Sequence, residues 1–254
     1  MLLALDIGNT NIKTGLFENG ELLQSWRITS DRGCTADEYG IKMEAFFQHI
    51  KHSPEEVDGI IMSSVIPALD YTIEHMCSLY FGQTPLKVSA DLNTGLKMCY
   101  EMPSRLGGDR ICNAVAGANL YGGPCIVVDF GTATTFSVVS GEMEFLGGII
   151  CPGFIVSSDA LVDRTQKLPR VSFVKPDRVI GNNTERCIQS GILYGYVGQV
   201  EYLVNRVKQE LGTPATVVGT GGMSGLIHSE TDCIDYVNPT LTLQGLHILY
   251  ELNK

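Results

Sequence analysis

The sequence predicts an α/β protein built from two half-sized units that open in the same way. Strand-like and helical patterns alternate along the chain, as they do in proteins that cover a sheet with helices. A three-strand pattern opens the chain and returns near its middle, and in both places the first strand ends in Asp-x-Gly, as Asp6-Ile7-Gly8 and Asp129-Phe130-Gly131. Two matching openings in one chain indicate an internal duplication.

The first half begins with a predicted meander and continues with alternating helices and strands. The three strands are LLALD (2–6), IKTGLF (12–17) and ELLQSWRI (21–28), and Glu18-Asn19-Gly20 between the last two is typical of a tight hairpin turn. The elements expected after the meander are, in chain order, a helix over 36–51, a strand over 59–66, a helix over 69–80, a strand around 85–89 and a helix over 110–120.

The second half follows the glycine-rich segment Tyr121-Gly122-Gly123-Pro124, which is the best candidate for a boundary. The elements expected there are strands CIVVD (125–129), TTFSVVS (134–140) and EFLGGII (144–150), helices near 155–165 and 183–211, strands at 215–220 and 234–237, and a last helix over 242–252. We therefore expect two domains, at 1–118 and 119–254.

Composition and charge exclude several classes of protein. The 254 residues are 44% apolar and 18% charged, which suits a soluble globular protein. A net charge of -10 argues against a general nucleic-acid binder, because such proteins neutralise phosphates with clustered cations. Met1 runs straight into a strand pattern without a basic leader or a membrane-spanning stretch, so we expect a cytoplasmic protein with no membrane partner. Eight cysteines without a C-x-x-C pair are expected to be reduced core residues.

The repeated Asp-x-Gly turn has the groups that phosphoryl transfer needs. In DIGNTNIK (6–13) Asp6 is suited to hold Mg²⁺ through water, Thr10 to donate a hydroxyl hydrogen bond, and Lys13 to place a charge on the transferred phosphoryl group. A hairpin in which Asp6 and Asn9 merely satisfy turn amides is the alternative for one isolated copy. The second copy, DFGTATT (129–135), favours a phosphate site.

A third turn, Gly219-Thr220-Gly221-Gly222, follows a predicted strand. Its bare backbone offers a surface for a flat adenine and its ribose. Together the three turns predict a site for a nucleoside triphosphate.

Several long segments carry a family resemblance, in the right order and over nearly the whole chain. They are DIGNTNIKTGLF (6–17), TADEYG (35–40), SSVIP (63–67), LGGDRICNAVA (106–116), YGGPCIVVDFGTATTFSVV (121–139), LGGIICPG (146–153), KLPRV (167–171), IGNNTERCIQSGILYGYVG (180–198) and NPTLTLQGL (238–246). With them the chain resembles the type III pantothenate kinases of the acetate kinase, sugar kinase and actin superfamily. The resemblance implies two duplicated ribonuclease H-like domains with mixed five-stranded sheets flanked by helices, the actin-like ATPase fold.

The resemblance also implies an activity and a set of site residues. The activity is ATP-dependent phosphorylation of pantothenate to 4'-phosphopantothenate, the first step of coenzyme A biosynthesis, with Mg²⁺ and a monovalent cation, K⁺ or NH₄⁺, in a homodimer that has its acceptor site at the interface. The residues expected to bind ATP are Asp6, Gly8, Asn9, Thr10, Lys13, Thr132, Gly221 and Gly222. Those expected to bind pantothenate are Tyr100, Gly107, Gly108, Asp109, Arg110 and Thr184, and Asp129 is expected to hold the monovalent cation.

Two of these residues also have a structural interpretation. Pantothenate has a primary hydroxyl at one end and a carboxylate at the other, so its kinase needs a base and a cation. The resemblance makes Asp109 the base, although its place before a helical pattern also fits an N-cap. The resemblance also implies that Thr184 contacts the substrate across the dimer interface. In the sequence around Thr184, Asn182 and Glu185 fit a capping box.

Two departures from the family and two rival functions complete the sequence analysis. At position 108 the family commonly has alanine, and the glycine of this chain is expected to loosen that loop. At position 137 the family commonly has aspartate, so Ser137 predicts a weaker dependence of activity on the cation. One rival is a regulatory or accessory protein that keeps the fold without turnover. The other is a kinase for a different small hydroxy compound, such as a sugar or acetate.

Overall fold

A computed structural model describes residues 1–254, and the chain divides into two compact units. The first unit consists of Met1–Ala116 together with Thr240–Lys254, and the second is Gly117–Pro239. Each unit has a mixed sheet with helices packed on it, as the sequence predicts.

The strands follow the predicted meanders closely. Those before residue 117 are β1 (Leu2–Ile7), β2 (Asn11–Glu18), β3 (Glu21–Thr29), β4 (Gly59–Ser64), β5 (Leu86–Lys87) and β6 (Lys97–Met98). Those of the second unit are β7 (Cys125–Phe130), β8 (Ala133–Val139), β9 (Glu144–Pro152), β10 (Thr216–Gly221) and β11 (Tyr236–Val237). The turn between β2 and β3 has positive φ at Asn19 (51°) and Gly20 (87°), the backbone that a two-residue hairpin turn needs.

Seven helices connect these strands. They are α1 (Ala36–His49), α2 (Pro67–Phe81), α3 (Gly108–Tyr121), α4 (Phe154–Asp163), α5 (Thr184–Leu211), α6 (Ser224–His228) and α7 (Leu241–Asn253). Helix α2 begins two residues earlier than predicted, because Pro67 occupies its first turn, where a missing N–H removes no hydrogen bond. None of the helices has both the length and the apolar character needed to cross a bilayer.

The two sheets share one topology. The first has the strand order β3-β2-β1-β4-β5, and the second unit contributes the order β9-β8-β7-β10-β11. In both, the opening strand pairs antiparallel with the second strand and parallel with the fourth. A register shift also occurs at matching places, between Leu16 and Phe17 and between Val138 and Val139. The predicted duplication is confirmed at the level of strand pairing.

Each unit has a separate hydrophobic core. The first surrounds β1, all six residues of which are buried, and it includes apolar residues of α1 and α2. The second lies between β7, β8 and one face of α5. Both central strands are therefore buried on both faces, as expected of strands between two helical layers.

The last helix lies with the first unit, whereas the sequence analysis placed residues 119–254 together. Helix α7 packs on β1, β2 and β4. It approaches α3 so closely that a Cβ on Gly245 would lie 2.1 Å from the Cys112 carbonyl oxygen. The apolar periodicity of 242–252 predicts a helix but does not say which sheet covers its apolar face.

Only some of the cysteines belong to a hydrophobic core. All eight are free, and Cys34, Cys77, Cys112 and Cys125 are buried. Cys99 and Cys187 are exposed, so the prediction that they are core residues is wrong. No group of three or more His, Cys, Asp or Glu side chains has an arrangement that could hold a metal ion.

Candidate active site

The first candidate phosphate loop joins β1 to β2 and is held by backbone hydrogen bonds. Asp6 lies one residue before the end of β1. The Gly8 N–H donates to the Asn11 carbonyl at 3.1 Å, and the Ser30 N–H donates to the Thr10 carbonyl at 3.1 Å. Backbone hydrogen bonds therefore contribute to the conformation of the loop.

A carboxylate and an ammonium group lie side by side at this loop. Asp6 and Lys13 are register partners in the antiparallel pair of β1 and β2, so their side chains share a face of the sheet. The Lys13 Nζ is 3.6 Å from the Asp6 Oδ2, and Asp6 is only 6% exposed. Asn9 and Thr10 are exposed at the tip of the loop. The loop thus combines a buried carboxylate with accessible polar groups.

The predicted acceptor segment forms the start of α3. The Gly107 carbonyl accepts from the N–H groups of Arg110 (3.1 Å) and Ile111 (3.2 Å), and the helix begins at Gly108. Asp109 is therefore inside the first turn, and its interpretation as the N-cap is wrong. Its Oδ1 accepts from the Arg110 N–H at 2.8 Å, which fixes the carboxylate near the positive end of the helix dipole.

Arg110 and Tyr100 are brought together, as the sequence analysis expected for two residues of one subsite. Arg110 is 7% exposed, and its guanidinium carbon lies 5.9 Å from the centroid of the Tyr100 ring. A cation at that distance from an aromatic ring is attracted by its π electrons. The ring thus helps to orient a buried positive charge.

The carboxylates of Asp6 and Asp109 both affect the pKa of the Cys112 thiol. Cys112 lies one turn after Asp109 on α3 and is fully buried. Burial raises the pKa of its thiol well above the usual range, and the negative charges of Asp6 and Asp109 raise it further. Geometry places the end of β1 near the same helix turn, because Ser63 pairs in register with Asp6 and its Oγ would lie 2.7 Å from a Cβ on Gly108.

The second candidate phosphate loop and the glycine turn meet within the second unit. Asp129 pairs in register with Thr220 of β10. Gly221 has a φ of +89°, and a Cβ on it would lie 2.5 Å from the Asp129 Oδ1. Both the positive φ and the close approach require glycine. Gly222 has open space where a side chain would be.

Thr132 is held by its backbone on the same loop. Its carbonyl accepts from the Gly153 N–H at 3.1 Å. A Cβ on Gly153 would lie 2.3 Å from that carbonyl oxygen. The loop and Gly153 therefore approach each other more closely than a residue with a side chain at position 153 would allow. The Thr132 residue itself is exposed.

Thr184 is the first residue of α5 and is exposed. The helix is capped by Asn183, whose side chain accepts from the Arg186 N–H at 2.8 Å. The predicted capping box on Asn182 is wrong, since the Asn182 side chain instead accepts from the Arg186 guanidinium at 3.3 Å. Thr184 still lies in the first turn, as predicted.

Two polar residues next to the loop aspartates were missed by the sequence analysis. Ser63 on β4 pairs in register with Asp6, and Thr220 on β10 pairs with Asp129. Ser63 is part of the segment SSVIP, but nothing in the sequence says that this strand lies beside β1. Only the parallel pairing reveals these two hydroxyl neighbours.

The duplicated sheets and their aspartate loops define a protein with the actin-like ATPase fold. Solved structures support this fold. A putative Baf family transcriptional activator from Campylobacter jejuni is similar with a TM-score of 0.59 and 17% identity, over 98% of this chain and 97% of that one. Component A of (R)-2-hydroxyglutaryl-CoA dehydratase from Acidaminococcus fermentans matches with a TM-score of 0.58 and 14% identity, over 98% and 96%. The inorganic polyphosphate/ATP-glucomannokinase from Arthrobacter sp. strain KM matches with 0.52 and 13%, over 99% and 98%.

A comparison of the sequence with family models shows the family of this chain. The model of the family described as type III pantothenate kinase matches residues 2–206, which is most of the chain. This chain belongs to the type III pantothenate kinase family. It is a kinase that phosphorylates pantothenate with ATP as co-substrate, in the biosynthesis of coenzyme A, and the predicted fold class and activity are confirmed.

Proposed function

We propose that the end of β1 and the first turn of α3 carry the phosphoryl transfer, with Asp109 as the base for the pantothenate hydroxyl. The observation that supports this most directly is the approach of Ser63, the register partner of Asp6, to the start of α3, where a Cβ on Gly108 would lie 2.7 Å from the Ser63 Oγ. Lys13 lies beside Asp6, and Arg110 follows Asp109. A base, two cations and a carboxylate suited to Mg²⁺ are thus close together in one unit.

The acceptor is held at both ends. Asp109 accepts the proton of the primary hydroxyl as the phosphoryl group arrives. An ordinary carboxylate is adequate for this, because phosphoryl transfer depends mainly on alignment and charge stabilisation. Arg110 pairs with the pantothenate carboxylate, a charge-assisted contact that fixes orientation. Tyr100 and the backbone of Gly107 and Gly108 complete the acceptor subsite.

Each predicted domain has its own set of proposed nucleotide contacts. In the domain at 1–118, the backbone of Gly8 and the polar groups of Asn9 and Thr10 bind phosphate oxygens. Lys13 places its charge on the transferred group, where negative charge is spread over three oxygens. In the domain at 119–254 the ATP contacts are Thr132, Gly221 and Gly222, which supply a hydroxyl and bare backbone.

Asp6 is suited to hold Mg²⁺ through water. Magnesium keeps several waters and takes one or two carboxylates together with substrate phosphates, and a single buried carboxylate beside the loop fits that description. Bound Mg²⁺ would neutralise charge on the phosphates. The ammonium group of Lys13, which lies beside Asp6, neutralises further negative charge on the phosphates.

Asp129 is the proposed ligand of a monovalent cation, K⁺ or NH₄⁺. The family commonly has a second carboxylate at the position of Ser137. In this chain Ser137 is buried and pairs in register with Val127, two residues before Asp129. With one carboxylate fewer, we propose that activity depends less steeply on this cation than is usual in the family.

We further propose a homodimer in which Thr184 reaches the acceptor of the partner subunit, and a cytoplasmic location. Apolar side chains that precede α5 support an interface near Thr184, because Val179 is 63% and Ile180 is 85% exposed. Exposed apolar side chains close together are typical of surfaces that bind another protein.

One experiment tests the proposed function. Purified protein with ATP, Mg²⁺ and K⁺ is expected to convert pantothenate to 4'-phosphopantothenate, with pantetheine and simple sugars assayed alongside. Phosphorylation of a sugar but not of pantothenate would contradict the acceptor assignment. Absence of any turnover, with ATP still bound, would favour a regulatory protein of the same fold.

A further inference from the structure

Two buried hydroxyl groups, one in each unit, have no role in the contacts described so far. Ser63 and Thr220 are both 0% exposed, and neither the Ser63 Oγ nor the Thr220 Oγ1 has a hydrogen-bond partner of normal geometry. Buried polar atoms in native proteins are nearly always paired, so each exception requires an explanation.

The two hydroxyls occupy equivalent places in the duplicated fold. Ser63 pairs in register with Asp6 in the parallel strands β1 and β4, and Thr220 pairs with Asp129 in the parallel strands β7 and β10. Side chains that are in register on neighbouring parallel strands point to the same face, and the strands lie about 4.8 Å apart. Each hydroxyl is therefore the neighbour of one loop aspartate.

Packing alone does not account for both residues. Alanine would fill the space of Ser63 almost as well, and valine has the shape of Thr220. Either replacement would remove an oxygen that has no partner, and burying such an oxygen destabilises a protein. The hydroxyl groups nevertheless recur at both positions, so they are expected to serve a function other than packing.

The surroundings of Ser63 show what its hydroxyl can reach. A Cβ built on Gly108 would lie 2.7 Å from the Ser63 Oγ, so the missing side chain of Gly108 leaves room for the hydroxyl at the first turn of α3. The Cys112 thiol offers it one contact, and a thiol is a weak hydrogen-bond partner. Rotation about a single bond takes the hydroxyl to another staggered position, and nothing strong holds it where it is.

A donor that stays in place when nucleotide binds would stabilise Asp6. The Lys13 ammonium lies 3.6 Å from the Asp6 carboxylate. When Lys13 turns its charge to the transferred phosphoryl group, Asp6 keeps its negative charge in a site that is largely closed to water. A donor from the protein stabilises a carboxylate in such a site.

We infer that Ser63 is a positioning residue of the phosphoryl-transfer site, and that Thr220 is its equivalent in the second unit. Each hydroxyl donates a hydrogen bond to the loop aspartate of its own unit when nucleotide is bound, and thereby fixes the orientation of that carboxylate. This inference rests on the proposed roles of Asp6 and Asp129.

The test uses Ser63→Ala and Thr220→Val in the full chain. Both variants are expected to melt at the same temperature as the wild type or higher, since an unpaired buried oxygen is removed. Ser63→Ala is expected to raise the Kd of ATP with Mg²⁺, measured by calorimetry without pantothenate, about tenfold, as loss of a hydrogen bond to a charged group predicts. The KM of ATP should rise likewise, with the KM of pantothenate unchanged.

Thr220→Val is expected to raise the K⁺ concentration that half-saturates activity.

Two matched controls have hydroxyls that are already paired. The Ser140 Oγ accepts from the N–H groups of Glu142 (3.2 Å) and Glu144 (3.3 Å), and the Thr242 Oγ1 donates to the Asn113 Oδ1 at 2.8 Å. Ser140→Ala and Thr242→Val are expected to lower the melting temperature and to leave ATP binding unchanged.

The possible outcomes separate this inference from the proposed function. An unchanged Kd of ATP in Ser63→Ala, with or without a lower melting temperature, overturns the inference and makes Ser63 a packing residue. A rise confined to the KM of pantothenate also overturns it, because the hydroxyl then serves the acceptor. Asp6→Asn is measured in parallel: normal ATP and Mg²⁺ binding there would instead contradict the proposed role of Asp6 itself.

Discussion

The Lys13 ammonium lies 3.6 Å from the Asp6 carboxylate, and the two residues face each other across the first antiparallel strand pair. The phosphate loop is the connection between these two strands, so the ion pair lies at the base of the loop. The same two residues are those proposed to act on the transferred phosphoryl group and on Mg²⁺. The ion pair therefore links the fold of the loop to its chemistry.

Replacement of this lysine by an uncharged residue is expected to affect both activity and stability. Lys13→Met should lower kcat about 10²-fold or more, because a cation aimed at developing charge is lost. It should also lower the melting temperature, because Asp6 is left buried without its ion-pair partner. Steady-state kinetics and thermal unfolding measure the two effects. Lys87→Met is the control, since Lys87 pairs with Asp70 of α2 and not with a residue of the loop, and an equal loss of kcat there would contradict the assignment.

Asp109→Asn separates the base from the helix terminus. The amide oxygen of asparagine can still accept the Arg110 N–H, so stability should change little. Activity is expected to fall by a factor of about 10² or more, because an amide cannot take the hydroxyl proton. Calorimetry should show that ATP still binds. Asp37 provides a matched control, as another aspartate in the first turn of a helix; Asp37→Asn should keep full activity, and an active Asp109→Asn would remove Asp109 from the chemistry.

Local patterns predicted the loops, whereas features that depend on long-range pairing were missed. Asp6-Ile7-Gly8 and its repeat are visible because a strand, an aspartate and a glycine adjoin in sequence. Ser63 was not identified because its importance comes from the register between β1 and β4. Helix α7 was placed in the wrong half for a related reason, since an apolar face does not specify the sheet that covers it. The cap of α5 was placed one residue early because Asn182 and Asn183 are equally good capping residues.

Arg110→Ala is expected to weaken the acceptor without abolishing turnover. Arg110 is buried, with its guanidinium carbon 5.9 Å from the centroid of the Tyr100 ring. Its removal takes away the proposed partner of the pantothenate carboxylate. A lost charge-assisted hydrogen bond corresponds to a rise in the KM of pantothenate of about 10- to 100-fold, with a smaller change in kcat. Arg206 has the same 5.9 Å distance to the Tyr202 ring on α5. A similar rise in KM in Arg206→Ala would mean that the effect is not local to the acceptor subsite.

The cysteines are expected to react with thiol reagents in two classes. Burial raises the pKa of Cys77 and of Cys125 to about 12, so at pH 8 only about one in 10⁴ of these thiols is the reactive thiolate. Cys99 and Cys187 are exposed and free. Labelling of the native protein should modify Cys99 and Cys187 first, and mass spectrometry of peptides identifies the sites. Labelling of all eight should require denaturant, and rapid modification of Cys77 in the native protein would show that its helix opens readily.

The proposed dimer makes a prediction about Ile180, which is largely exposed in a single chain. Ile180 is 85% exposed and lies four residues before Thr184, so an interface that brings Thr184 to a partner's acceptor would cover it. Ile180→Asp should therefore shift the protein from twice the mass of one chain to a single mass in light scattering, because a buried unpaired charge opposes association. The KM of pantothenate should rise in the same variant, since Thr184 no longer reaches the partner's acceptor. Ile41 on α1 is 60% exposed and far from α5 in sequence, and Ile41→Asp should leave both the mass and the KM unchanged. A monomeric wild type with normal pantothenate kinetics would contradict the dimer and leave Thr184 without a substrate to contact.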